Sequence, residues 1–232
     1  MNNWAAPQRP NAYAEHSLIS AILDGTFPPG STLPGERTLA AELGVTRPTL
    51  REALQRLARD GWVKVRQGKA TEVNNFWQDG GLNVLNALVQ HGNHLPANFV
   101  TQLLEVRLNL APAYTRSAVQ HAPQEVVAYL HGYRKLSDTA DSYASFDWQL
   151  HRRLTLASGN PIYTLIMNGF SDFYEQLARL YFAAGNERKR SRKFYAALEE
   201  AVVAGDAERA EHVCHAAMLE SIESWRKINA QQ

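Results

Sequence analysis

The chain has 232 residues, 45% hydrophobic and 20% charged, with a formal net charge of +1, which excludes a disordered or fibrous chain and leaves room for one or two folded domains. No apolar run approaches the ~20 residues that a bilayer-spanning helix needs, and the opening MNNWAAPQRPNAYAEH has no apolar leader core. The single cysteine, Cys214, excludes an internal disulfide and fits a reducing compartment, so the expectation is a cytoplasmic protein with no membrane partner.

Residues 1–11 are expected as a loose arm. Ala12–Asp24 predicts a helix with Leu18, Ile19, Ile22 and Leu23 on its apolar face, ended by Gly25. After the rigid turn Phe27-Pro28-Pro29-Gly30, the run LPGERTLAAELGVTRPTLREALQRLARDGWVKVRQGK from Leu33 to Lys69 predicts helix, tight turn, helix and a two-stranded wing. Gly44 sits past the end of the first helix, where a left-handed backbone suits glycine. Thr46 caps the second helix, and Pro48 falls in its first turn, where the missing N–H costs little. Leu50, Leu54 and Leu57 repeat at helical spacing and face inward, while Arg47 and Arg51, four apart, share a face near the helix start. Val63–Arg66 and Thr71–Val73 read as short strands around the hairpin tip Gln67-Gly68-Lys69.

Charge is uneven along the chain. Thr46–Lys69 holds seven Lys/Arg and two Asp/Glu, net +5, against +1 for the whole. A phosphate backbone is attracted to such a concentration, and arginine suits the edge of guanine. The segment therefore predicts a winged helix-turn-helix that reads DNA.

Asn74–Gly81 is the expected linker, a restrained hinge in which Phe76 and Trp77 pack. Beyond it the pattern is helical: Leu82–Gln90, Pro96–Ser117, Pro123–Ser137, Asp138–Ser158, Pro161–Ala183, Arg188–Ala204 and Asp206–Asn229. Breaks fall at His91-Gly92-Asn93, Ala122-Pro123, Gly159-Asn160-Pro161, Gly185-Asn186 and Gly205-Asp206. The expected fold class is mainly α: a winged helix-turn-helix domain over 1–73, a linker over 74–81, and an all-α bundle over 82–232.

No GxSxG elbow, P-loop, HExxH or GxGxxG occurs, so no enzyme is expected. Cys214 and His215 are adjacent on a helix and point apart. Asp147 and His151, four apart, are both capable of ligating a metal, but two ligands make a weak site. No metal or cofactor is expected. Arg107 interrupts an apolar helix, where it either pairs with Glu105 or carries its charge to the surface. The aromatic stretch Phe170–Phe182 reads as core or as the wall of a tunnel.

FPPGSTLPGERTLAAELGVTRPTLREALQRLARDGW resembles the winged-helix domain of the GntR family of bacterial transcription factors. VRQGKATEVNNFW, GLNVL and SGNPIY resemble the fatty-acid-responsive branch of that family, so the likeness covers most of the chain. It implies a homodimer that binds a double-stranded DNA operator through Arg37, Thr46, Arg47, Thr49, Arg51, Gln67, Gly68 and Lys69. It also implies a long-chain acyl-CoA effector that lies against Arg107, Asp147, Ser221 and Trp225 and relieves DNA binding.

The sequence departs from that branch at Pro48 for threonine, Gln67 for histidine and Met218 for a small glycine beside the ligand. Two alternatives stay open. In one, the regulator answers to a metal-held carboxylate, although the two further histidines of such relatives are Tyr195 and Ala217 here. In the other, the bundle is an enzyme or small-molecule binder with an accessory DNA module.

Overall fold

A computed structural model describes residues 10–91 and 95–229. Of the expected arm, residues 1–9 lie outside the described residues, as does the break expected at Gly92-Asn93. Backbone contacts divide the chain into two compact units, Met1–Leu95 and Pro96–Gln232.

In the first unit, helix α1 (Pro10–Leu23) begins earlier than expected, because Pro10 and Asn11 already belong to it. It buries Ala14, Leu18, Ile19 and Ile22 and packs on α3 (Arg47–Asp60). Helix α2 (Glu36–Leu43) buries Leu39 and Ala40 and ends at Gly44 with φ +66°, the left-handed turn that glycine permits. The Thr46 hydroxyl accepts the Thr49 N–H and caps α3, whose Leu50, Ala53, Leu54 and Leu57 face the core. At the end of α3, Gly61 has φ +90°, and a Cβ there would lie 2.4 Å from the Asp79 carbonyl oxygen. Only glycine lets the chain pass at that point.

The wing is shorter than expected. Strands β1 (Val63–Lys64) and β2 (Glu72–Val73) pair antiparallel with Val63 opposite Val73. Thr32 adds a bridge to Glu72. Beyond Lys64 no buried face remains to fix the pairing: Val65 is 47% exposed, and an unsupported two-stranded ribbon is marginal in water.

Residues 74–81 hold one turn of helix, α4 (Phe76–Asp79). It is tied back to the first unit: the Phe76 ring lies 4.8 Å from Trp62, and the Asn74 amide donates to the Gly61 carbonyl at 3.0 Å. Trp77, by contrast, is 53% exposed. Helix α5 (Leu82–Gln90) forms over the expected residues. It belongs to the first compact unit, with Asn83 donating to Asp60 at 3.0 Å and His91 stacked on His16 at 4.3 Å.

The second unit is helical. Helix α6 runs Phe99–His121, and α7 (Pro123–Leu130) tightens into a 3-10 turn at His131–Lys135 rather than continuing to Ser137. Helix α8 (Ala140–Ala157) is capped by Thr139. The single helix expected over Pro161–Ala183 is two, α9 (Pro161–Asn168) and α10 (Ser171–Phe182). Gly169 stops α9, its N–H turning back to the Ile166 carbonyl at 3.0 Å. Helices α11 (Gly185–Val203) and α12 (Ala207–Asn229) complete the unit.

Helix α12 packs along α6, and α8 packs against α6 and α10. Leu130, Leu150, Leu154, Tyr195, Leu198, Ala210 and Cys214 lie at the centre of the core. Among the described residues no helix is long and apolar enough to cross a membrane. The mainly α class, with a winged helix-turn-helix followed by a helical bundle, is as expected.

Candidate functional site

Two sites follow from this architecture, one in each unit. In the first, the start of α3 presents Arg47 and Arg51 to solvent on one side. Glu36, opening α2, lies between them: Arg51 Nε donates to Glu36 Oε2 at 2.7 Å, and Arg47 Nη2 lies 3.8 Å from the same oxygen. Beside them the Thr46 and Thr49 hydroxyls are 2.9 Å apart. Arg37 follows Glu36 on α2 and is exposed, as are Gln67, Gly68 and Lys69 at the wing tip, where Gly68 has φ +71°. The expected reading residues thus fall into two groups, the helix cluster and the wing tip.

In the second unit, Arg107, Asp147, Ser221 and Trp225, from three helices far apart in the chain, line one cavity. Its walls come from α6, α9, α10 and α12: Leu103 and Leu110, Ile166, Phe170, Phe173 and Leu177 supply much of the apolar surface. Tyr174, Tyr181 and Phe182 of the aromatic stretch line it as well. The cavity volume is about 110 Å³. A narrower cleft of about 20 Å³ continues past Ser221 to Met218, Glu220 and Arg190. Met218 is 3% exposed, so its side chain fills the space that a glycine would leave.

The polar end of the cavity is a closed network. Arg107 Nη2 donates to Asp147 Oδ2 at 2.7 Å, and Tyr174 donates to the same oxygen at 2.7 Å. Tyr195 donates to Asp147 Oδ1 at 3.0 Å. Arg107 Nη2 also donates to His151 Nε2. That nitrogen must then be bare, which puts the histidine proton on Nδ1, 2.7 Å from the Tyr114 oxygen. Arg107 Nε is buried with no partner among the described residues.

The charges are set by these contacts. Burial opposes the Asp147 carboxylate, but Arg107 and the Tyr174 and Tyr195 hydroxyls outweigh it and hold its pKa below the usual range. Burial also opposes the Arg107 charge, and Asp147 outweighs it, so the guanidinium stays protonated. His151 is neutral: burial, then the neighbouring Arg107, bring its pKa down to about 3. The network holds one positive and one negative charge and is neutral as a whole.

Arg107 does not pair with Glu105, which is 3.2 Å from Arg226 instead. Asp147 Oδ1 and His151 Nε2 are 3.9 Å apart, and Arg107 Nη2 contacts both side chains. Among the described residues, no three of His, Cys, Asp and Glu gather as metal ligands. Cys214 is buried beside the Thr115 hydroxyl, 3.4 Å away, whereas His215 is exposed. In the Arg188-Lys189-Arg190 run, Arg188 closes the end of α10 on the Phe182 carbonyl at 2.6 Å and pairs with Asp138. Arg190 pairs with Glu187 and Glu220.

Sequence reasoning missed Tyr114 and did not give Tyr174 or Tyr195 their role as hydroxyl donors. A buried arginine among apolar neighbours signals that acceptors and donors must converge on it, but not from which helices.

Residues 11–73 match the model of the bacterial regulatory proteins of the gntR family, and residues 74–232 match that of the FadR C-terminal domain. A fatty acid metabolism regulator protein of Shewanella denitrificans is 42% identical over 219 residues, covering 94% of this chain and 92% of its own. Its counterpart in Shewanella baltica strain OS155 is 46% identical over 190 residues, covering 82% and 80%. The solved structure described as "Lar controls the expression of the Listeria monocytogenes agr system and mediates virulence" superposes with a TM-score of 0.64 at 19% identity, covering 97% of this chain and 99% of that one. That likeness bears on the fold alone. With both halves matched and the relatives aligned over most of their length, the chain belongs to the GntR family of bacterial regulatory proteins, as a DNA-binding regulator with a FadR-type C-terminal domain.

Proposed function

We propose that this protein regulates fatty acid metabolism: a homodimer binds an operator through the helix cluster and wing tip, and a long-chain acyl-CoA in the α6–α12 cavity weakens that binding. The reading assigns residues 1–73 to the operator and 82–232 to effector and dimer. One observation carries the effector half. Arg107, Asp147, Ser221 and Trp225, the positions that the family resemblance implies, line a single cavity that is otherwise almost wholly apolar.

The chemistry of the cavity suits a thioester. Its polar end is electrically neutral and leaves Arg107 Nε unpaired among the described residues, so a carbonyl oxygen gains a hydrogen bond there, while a free carboxylate brings a second buried charge without a counterion. The apolar part suits an alkyl chain, each CH₂ contributing about 0.8 kcal/mol on leaving water. At about 110 Å³ the cavity is smaller than the ~150 Å³ that accepts benzene. A long chain must therefore widen it, and the α9–α10 junction at Gly169 is the place where the wall is already broken. A ligand that binds the widened form better shifts the protein towards it, and a conformational difference of this kind is what release of DNA requires.

A metal-held carboxylate is the weaker reading, because the Arg107 guanidinium already bridges Asp147 and His151. The test is operator binding measured across acyl-CoA thioesters of increasing length and the matching free acids. The proposal expects thioesters alone to weaken operator binding; an equal response to the free acids removes it.

A further inference from the structure

Glu36 is in an unfavourable place for a residue with no task. Its side chain is 36% exposed and the arginines it meets are 57% and 56% exposed, so these ion pairs add little to stability. A carboxylate on a surface that approaches phosphates also repels them. What the contact supplies is geometry. Arg51 has its Nε on Glu36 Oε2 at 2.7 Å, and neither of its terminal nitrogens has a hydrogen-bond partner among the described residues. Those two nitrogens form the pair that meets guanine O6 and N7 together. Arg47 is drawn to the same oxygen through Nη2 at 3.8 Å. A single carboxylate from α2 thus restrains two long, flexible side chains of α3.

We infer that Glu36 is a positioning residue for sequence readout, fixing the pose from which Arg51, and with it Arg47, meets base edges. The inference rests on the reading of this face as the DNA surface. Glu36 also lies in the first turn of α2, where a negative charge favours the helix, so the test must separate that structural effect from positioning. Glu36→Asp does so: it keeps the charge in the first turn but withdraws the carboxylate by about 1.5 Å, one carbon–carbon bond.

The experiment uses the full-length protein. A duplex is first selected from a randomised library by the wild type. Affinities of wild type, Glu36→Asp, Glu36→Ala and Arg51→Ala are then measured for that duplex, its single-base variants and a scrambled duplex. The expected result is that Glu36→Ala binds the scrambled duplex more tightly, because a negative charge is gone. Both Glu36 variants lose about tenfold discrimination at the base pairs that Arg51→Ala identifies. Discrimination equal to wild type in both variants overturns the inference. So does an equal loss on every duplex, which is the signature of a damaged fold. A wild type that enriches no sequence overturns the DNA reading itself, and the inference with it.

Discussion

The Arg107 guanidinium and the Asp147 carboxylate meet at 2.7 Å across 40 residues of sequence, and the contact fixes α6 to α8 at the polar end of the cavity. Each group is costly to bury alone and tolerable with the other. Replacing Asp147 by Asn is expected to destabilise the protein by about 3 kcal/mol, the lower end of the range for a broken buried pair, because Arg107 is one-fifth exposed. Arg107→Met together with Asp147→Leu is expected to cost less than the sum of the two single changes. Urea unfolding of the four proteins measures this, and strict additivity speaks against the pair.

Acid is expected to weaken the bundle before its carboxylates protonate. His151 titrates near 6.5 when unfolded and at about 3 when folded. Between these values the unfolded chain binds the extra proton, so this contribution is complete above pH 6.5 and is lost as pH falls towards 3. From pH 7 to pH 5 the loss attributable to His151 is about 2 kcal/mol. Asp147, with a lowered pKa, adds its own loss below the ordinary carboxylate range. Unfolding free energies at pH 7 and 5 for wild type and His151→Gln test this, the variant being expected to show a much flatter dependence.

On the DNA face the two groups of residues are expected to behave differently. Arg51→Ala should cost about 1–3 kcal/mol of discrimination at one base pair. Lys69→Ala, at the wing tip, should weaken binding to all duplexes alike and lower the salt slope by about 1. Operator titrations at several salt concentrations separate the two behaviours, and identical effects from both substitutions contradict the assignment.

Ser221 lies between the cavity and the Met218 cleft, 3.5 Å from the Tyr181 hydroxyl. A phenylalanine there is expected to abolish the response to acyl-CoA while operator binding persists. Calorimetry of wild type and Ser221→Phe with thioesters of rising length provides the check. For the wild type the gain should be up to about 0.8 kcal/mol per CH₂ until the widened cavity is full.

The helix-turn-helix was readable in the chain because its signals are local: a glycine at the turn, a threonine cap and leucines at helical spacing all lie within one short run. The wing was read too long because strand length depends on the neighbours available to bury it, and Val65 is left about half exposed. The α9–α10 break was missed because Gly169 has no proline or cap beside it to distinguish it from a tolerated helix glycine. Arg107 was legible as an anomaly, but the network it belongs to draws side chains from α6, α8, α10 and α11, a convergence that only packing reveals. Glu36 gave no signal at all: a glutamate opening a helix is what the helix dipole alone would favour.

The central claim is that one ligand occupies the α6–α12 cavity and, by doing so, weakens operator binding. The most direct measurement is a long-chain acyl-CoA titration followed by tryptophan emission in wild type and Trp225→Phe, with operator affinity recorded on the same samples. The account predicts an emission change that Trp225→Phe lacks, accompanied by at least a tenfold loss of operator affinity, about 1.4 kcal/mol. Saturation of the emission change with operator affinity unaltered, or no binding at micromolar ligand, would contradict it.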